Sequence, residues 1–217
     1  MAEEKTEMEA FIEREAPIPD FLRRIMLAED PVMAQFQLAG GLSGIRKIHE
    51  LRQKVVATYG FAVLTRKVVN QLIPYGPFIE VGAGTGYWSY ELQRAGCSSI
   101  ATDICSQEAA SASDPRYTFR RSPCFVNVLA IPAQQAVRQH ADKTLLMVWP
   151  ETGEEWSYEA LTAYSGTGLI YVGAIERGRP ADDRFHDEIE RSWRLETRIR
   201  IPRFPGHHDA VSVYRRK

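Results

Sequence analysis

The chain has 217 residues, 44% hydrophobic and 25% charged, with a formal net charge of −1. That length allows a sizeable core in one domain with an appendage, and the near-neutral charge gives no global pull toward nucleic acid or an anionic membrane. The three cysteines, Cys97, Cys105 and Cys124, fit no metal-ligand spacing, so no metal is expected and reduced thiols in a cytoplasmic setting are.

The opening "MAEEKTEMEA" is acidic and has no apolar stretch of the signal-peptide kind. No apolar run approaches the ~20 residues of a membrane span. Three helices are expected first: "PDFLRRIMLAED", "GLSGIRKIHELRQKVVATYG" with Gly60 as its stop, and "FAVLTRKVVNQLIP" ended by Pro74. After Tyr75 strands and helices alternate. "PFIEVG", "SSIATDI", "TLLMVWP" and "GLIYVGA" read as strands. "YWSYELQRAG", "IPAQQAVRQHAD" with Pro132 in its first turn, "EWSYEALTAYSG" and "ADDRFHDEIERS" read as helices. Such alternation implies a doubly wound α/β fold with a mostly parallel sheet. The last two runs, "RLETRIRIP" and "DAVSVYRRK", are strands divided by the short "RFPGHH". So short a connection joins antiparallel neighbours, which puts one reversed strand near a sheet edge. The basic C-terminal residues Arg198, Arg200, Arg203, Arg215, Arg216 and Lys217 are partly offset by Asp187, Glu188 and Glu196 and read as a solvated edge.

The chemistry begins at "FIEVGAGTGYWSYEL", where Gly82, Gly84 and Gly86 follow a strand and open a helix. A dinucleotide fingerprint would need glycine at Tyr87, and a phosphate loop would need Gly-Lys-Ser/Thr. Neither is present. Glu80 at the strand end would repel a pyrophosphate and suits a cationic ligand. Asp103 ends the next strand, where an acid can accept both hydroxyls of a ribose. It could also be a helix N-cap. A nucleoside with a cationic end and no phosphates fits the pair.

"EVGAGTGYWSYEL" followed by "ATDI" resembles the class I S-adenosylmethionine-dependent methyltransferases, from about Tyr59 to the C-terminus. The resemblance implies a seven-stranded sheet of order 3-2-1-4-5-7-6 with strand 7 antiparallel. It divides the chain into a helical extension or lid, 1–58, and a Rossmann-like domain, 59–217. It implies S-adenosylmethionine as cofactor, with Glu80, Gly82, Gly84 and Gly86 around the methionine part, Asp103 on the ribose and Ile104 against the adenine. Tyr59 and Phe61 become lid contacts, or staples of the lid to the domain. Tyr87 is the ligand candidate of the pair Tyr87/Trp88, with Trp88 in the core.

Two places depart from the family pattern. The acid often found after strand 3 is replaced by Asn127, Gln134 and Gln135. The strand-4 tip "VWPET" is similar to a Trp-Pro-Pro variant in small methyltransferase-like proteins, with Glu151 in place of the second proline. Trp149 offers an indole N–H and a stacking face, or simply fills the core. Glu151 is a candidate base, a substrate anchor or a surface carboxylate. His207, His208 and Asp209 in "PGHHDA" fall at the carboxyl edge of the sheet, as does Glu176, and there a His/Asp pair could take a proton. Trp149, Glu151 and His208 are the catalytic candidates. Three functions stay open: a methyltransferase of small molecules, favoured; a methyltransferase of RNA or protein; and a non-catalytic binding protein on the same fold. A small-molecule substrate is the expected partner, with a homodimer left open and neither membrane nor nucleic acid expected.

Overall fold

A computed structural model describes residues 4–15, 42–104, 123–174, 180–204 and 207–217. The helix expected at 19–30, Cys105, Glu176, and residues 205 and 206 of the last connection lie outside the described residues.

Seven strands form one sheet: β1 (Phe78–Val81), β2 (Ser99–Thr102), β3 (Val128–Leu129), β4 (Thr144–Val148), β5 (Gly168–Gly173), β6 (Trp193–Arg200) and β7 (Ala210–Arg216). Their spatial order is β3-β2-β1-β4-β5-β7-β6. β1 pairs in parallel with β2 and β4, with Glu80 opposite Ala101 on one side and Leu146 on the other. β7 runs antiparallel to both β5 and β6, so it is the one reversed strand. This is the α/β fold of the class I methyltransferases, in the expected order.

The helices are α1 (Glu7–Glu15), α2 (Leu42–Tyr59), α3 (Arg66–Leu72), α4 (Tyr87–Arg94), α5 (Ala133–Gln139), α6 (Trp156–Ala163) and α7 (Asp183–Ser192). Strand side chains alternate between faces, and the core divides accordingly. Phe78, Leu146, Ile170 and Val172 pack with Met8, Leu51, Val55, Val69 and Leu92. Ile79, Val81, Leu145, Met147 and Tyr171 pack with Val137, Leu161, Phe185 and Ile189 on the other side. Glu80 shares the face of Phe78, which turns it toward α4.

Two helix starts differ from expectation. The third helix begins only at Arg66, because Thr65 caps it by accepting the Val68 N–H at 3.3 Å. The preceding residues instead hold the N-terminal segment: Leu64 accepts the Thr6 hydroxyl at 2.9 Å and donates its N–H to the Met8 sulfur at 3.4 Å. Pro132 stands at the N-cap of α5, one place ahead of the first turn, at φ −59° and ψ 144°.

Residues 6–9 make a capping box, with Thr6 N–H donating to Glu9 at 2.9 Å and Glu9 N–H to the Thr6 hydroxyl at 3.1 Å. Glu9 also accepts the Arg66 N–H at 2.7 Å. Glu91, wholly buried on α4, accepts from the Glu7 N–H at 2.9 Å and from Arg66 at 2.8 Å. The N-terminal segment is thereby tied to α3 and α4. No helix among the described residues is long and apolar enough to cross a membrane.

Candidate functional site

β1 ends at Val81, and the turn 82–86 leads into α4. Gly82 has φ +65°, and a Cβ there would stand 2.6 Å from the Trp156 indole. Gly86 has φ +71°, with Val126 2.6 Å from where its Cβ would lie. Backbone conformation and close approach both require glycine at these two positions. Gly84 donates its N–H to Asp103 at 2.9 Å, so the carboxylate at the tip of β2 also braces the turn.

Glu80 is buried, and one of its oxygens accepts both the Ser89 N–H at 3.0 Å and the Ser89 hydroxyl at 2.6 Å. Its pKa is pushed up to about 7, chiefly by burial and in part by the neighbouring Asp103, against the two Ser89 bonds, which lower it. Among the described residues, no cation acts on it. Two carboxylates thus stand at the carboxyl ends of adjacent parallel strands, where ligands bind in open α/β sheets.

A two-chambered cleft opens there. The smaller chamber, about 60 Å³, is lined by Tyr59, Gly60, Phe61, Glu80, Gly82, Gly84, Tyr87, Trp88, Asp103, Trp149 and Glu151. The larger, about 250 Å³, is lined by Gly82, Asp103, Ile104, Ile131, Gln134, Glu151 and Trp156. Gly82, Asp103 and Glu151 border both. Every cofactor candidate except Gly86 lines one chamber or the other, and Gly86 heads α4 beneath them. A further cleft of about 250 Å³ lies at the amino ends of β1, β4 and β5. Its cations are already engaged, Lys143 by Asp142 and Arg215 by Glu196.

Individual candidates sit differently. Ile104 is 61% exposed on the rim of the larger chamber. Tyr59 closes α2 and packs edge-on to Tyr87 at 4.9 Å and stacks on Phe125 at 5.6 Å. The Tyr87 ring belongs to this aromatic wall. Its hydroxyl is committed elsewhere, accepting the Met8 N–H at 2.9 Å and donating to Glu91 at 3.2 Å. Glu151 accepts the Trp156 indole N–H at 2.9 Å. Gln134 is bonded to Glu159, and Asn127 and Gln135 are exposed.

Trp149 adopts φ +50°, a conformation rare for a bulky side chain. Its N–H donates to Val172 at 2.9 Å, its ring stacks on Phe61 at 5.2 Å, and its indole N–H donates to Asp209 at 3.0 Å. His207 lies 5.8 Å from the same ring, while His208 is exposed. Of the "HHD" triplet, Asp209 is the member bonded to Trp149. Asp209 is buried, and desolvation pushes its pKa up to about 6. Sequence reasoning passed over Ser89, Phe125, Trp156 and Arg52. Only Arg52 carried a signal, a charge among apolar residues at helical spacing.

No protein-family model and no curated protein sequence matches the chain. Among solved structures it is similar to the magnesium protoporphyrin IX methyltransferase of Synechocystis PCC 6803 with bound SAM, at 14% identity over 97% of this chain and 98% of that one, TM-score 0.46. It is similar to the glycopeptide N-methyltransferase MtfA complexed with S-adenosyl-L-homocysteine, at 14% identity over 70% of this chain and 87% of that one, TM-score 0.45. The chain spans about half the length, 51%, of SMU.776 complexed with SAH, at 12% identity over 70% of this chain and TM-score 0.43. The fold assignment stands on the strand order itself.

Proposed function

We propose that the chain is an S-adenosylmethionine-dependent methyltransferase acting on a small molecule. The observation that carries this reading is the pair Glu80 and Asp103, two buried carboxylates bordering a glycine turn, with no cation among the described residues acting on Glu80. An uncompensated acid in a cleft invites a ligand with positive charge. A nucleoside bearing ammonium and sulfonium groups fits that donor set.

In this reading Glu80 faces the ammonium end, with Ser89 fixing its carboxylate. Asp103 accepts from the ribose hydroxyls while keeping its bond to Gly84. Ile104 and Ile131 flank the adenine, and Gln134 takes the place of the missing acid after β3. The bound cofactor supplies a methyl group activated by sulfonium. The protein then has to align an acceptor with it and keep water out. Trp149, stacked on Phe61 and fixed by Asp209, makes the acceptor-side wall. Glu151 stands between the chambers as an anchor or base, and Asp209 positions the indole of Trp149. Residues 1–58 act as a lid on the 59–217 domain, through Tyr59 and its edge contact with Phe11 at 5.5 Å.

Incubation with methyl-labelled S-adenosylmethionine and fractionated cell extract tests this. Label is expected in the small-molecule fraction and lost in Trp149→Ala. Label in RNA or protein would favour the macromolecular reading. Cofactor binding without transfer to any fraction would favour a non-catalytic binding protein.

A further inference from the structure

β4 ends at Val148, and Trp149 and Pro150 carry the chain over the sheet edge to Glu151, which borders both chambers of the cleft. One of its oxygens, Oε2, accepts the Trp156 indole N–H at 2.9 Å. Trp156 in turn lies so near the glycine turn that a Cβ on Gly82 would stand 2.6 Å from its ring. The carboxylate is therefore held at a fixed place relative to that turn. Its second oxygen, Oε1, makes no hydrogen bond or ion pair among the described residues.

The proposed cofactor leaves this acid without a task, since its ammonium faces Glu80 and its ribose hydroxyls face Asp103. Holding an indole N–H needs no charge either. A neutral amide oxygen would accept the same bond without the cost of desolvating a carboxylate. The smaller chamber around Glu151 is largely aromatic, with Tyr59, Tyr87, Trp88, and Phe61 stacked on Trp149 at 5.2 Å. Aromatic rings beside a carboxylate attract an organic cation twice, through the ring quadrupole and through the charge. Glu80, 2% exposed, likewise has only one oxygen engaged, by Ser89, among the described residues. An anion entering the chamber would meet Glu80, Asp103 and Glu151 together.

We propose that Glu151 binds a protonated amine of the methyl acceptor and holds the acceptor against the aromatic wall of Phe61 and Trp149. This rests on the methyltransferase reading and narrows its substrate to a small organic amine, cationic at neutral pH. Oε1 accepts from the ammonium, while the bond to Trp156 keeps Oε2 and so fixes the direction of the carboxylate. Glu151 thereby selects the charge of the acceptor. A neutral alcohol gains only an ordinary hydrogen bond there, about half as strong as the charge-assisted one. A carboxylate or phosphate is repelled.

The test uses the full-length chain, ¹⁵N-labelled and saturated with S-adenosylhomocysteine, titrated at pH 7 with benzylamine, benzyl alcohol and benzoate. Binding of S-adenosylhomocysteine is measured first, so a failure of the methyltransferase reading is seen separately. The expected result is a saturable shift of the Trp149 and Trp156 indole N–H signals with benzylamine, binding at least tenfold weaker with benzyl alcohol, and none with benzoate. Glu151→Gln keeps an acceptor for Trp156 and removes the charge. It is expected to weaken benzylamine binding at least tenfold, with S-adenosylmethionine and S-adenosylhomocysteine affinities nearly unchanged. Equal benzylamine binding by Glu151→Gln, tighter binding of benzyl alcohol or benzoate, or no saturable shift with benzylamine in the folded, S-adenosylhomocysteine-bound protein would overturn the proposal. So would a loss of affinity in Glu151→Gln for S-adenosylmethionine alone, which would assign Glu151 to the sulfonium.

Discussion

Trp149 and Asp209 are joined by a 3.0 Å hydrogen bond that ties the tip of β4 to the start of β7 across 60 positions of sequence. The indole is further fixed by its stack on Phe61 and by the backbone bond to Val172. Trp149→Phe keeps the stack and removes the N–H. It leaves a buried carboxylate short of a partner, at a cost of about 1–3 kcal/mol. We expect a lower Tm, methyl transfer reduced more than tenfold, and cofactor affinity nearly unchanged. Calorimetry with paired binding and transfer assays separates these effects.

Glu80→Gln should separate stability from binding. The Glu80 pKa is about 7 in the folded protein against an ordinary 4.5. A raised carboxylate pKa means stability that is full below the ordinary value and lost as pH rises through 7. Asp209, at about 6 against 3.8, has the same sign. The ligand-free protein should thus lose stability from these groups between pH 3.8 and about 7, and Glu80→Gln should reduce that loss. A cationic ligand favours ionised Glu80, so wild-type cofactor affinity should rise with pH up to about 7 and then level off. In Glu80→Gln affinity should be weaker and its rise near pH 7 absent. Melting curves and titrations at pH 5.5, 7 and 8 check both signs.

The glycines allow a comparison of strain with collision. Gly96 has φ +80° and open space where a Cβ would lie. Gly82 has φ +65° and the Trp156 ring 2.6 Å away. Gly96→Ala should cost about 1 kcal/mol, the strain of the left-handed backbone alone. Gly82→Ala adds overpacking and should cost about 3 kcal/mol, with loss of cofactor binding. Equal costs in denaturant unfolding would contradict this account of the turn.

Strand positions were legible because β1, β4 and β5 are near-continuous apolar runs, as strands covered on both faces must be. The glycine turn and Asp103 were legible because their spacing along the chain is fixed by one strand-turn-helix unit. β3 is only two residues long and leaves almost no pattern. The start of α3 was hidden because Leu64 serves the N-terminal segment, a contact across 58 positions. Tyr87 looked like a ligand contact from its place after Gly86, while its hydroxyl is used by Met8 and Glu91. In "PGHHDA" the three polar residues were equivalent in sequence, and the path of β7 decides that Asp209 turns inward to Trp149.

The buried pair Arg66–Glu91 was likewise invisible, each partner looking like an ordinary helix charge. The two meet at 2.8 Å, with Glu91 wholly buried and Arg94 adding a weaker contact at 3.4 Å. Removing one partner of such a pair strands the other charge. Arg66→Met should cost about 3 kcal/mol and release the N-terminal segment to proteolysis. The double variant Arg66→Met/Glu91→Leu should recover much of that stability. Failure of the double variant to recover would indicate that the N-terminal bonds to Glu91, from Glu7 and through Tyr87, matter more than the ion pair.

The central claim is tested most directly by isothermal titration of the purified chain with S-adenosylmethionine and S-adenosylhomocysteine, beside Asp103→Ala. Micromolar binding of both, weakened at least tenfold in a folded Asp103→Ala protein, is the predicted result. Binding of neither ligand by the folded wild-type chain, or binding untouched by Asp103→Ala, would contradict the assignment of this cleft as the cofactor site.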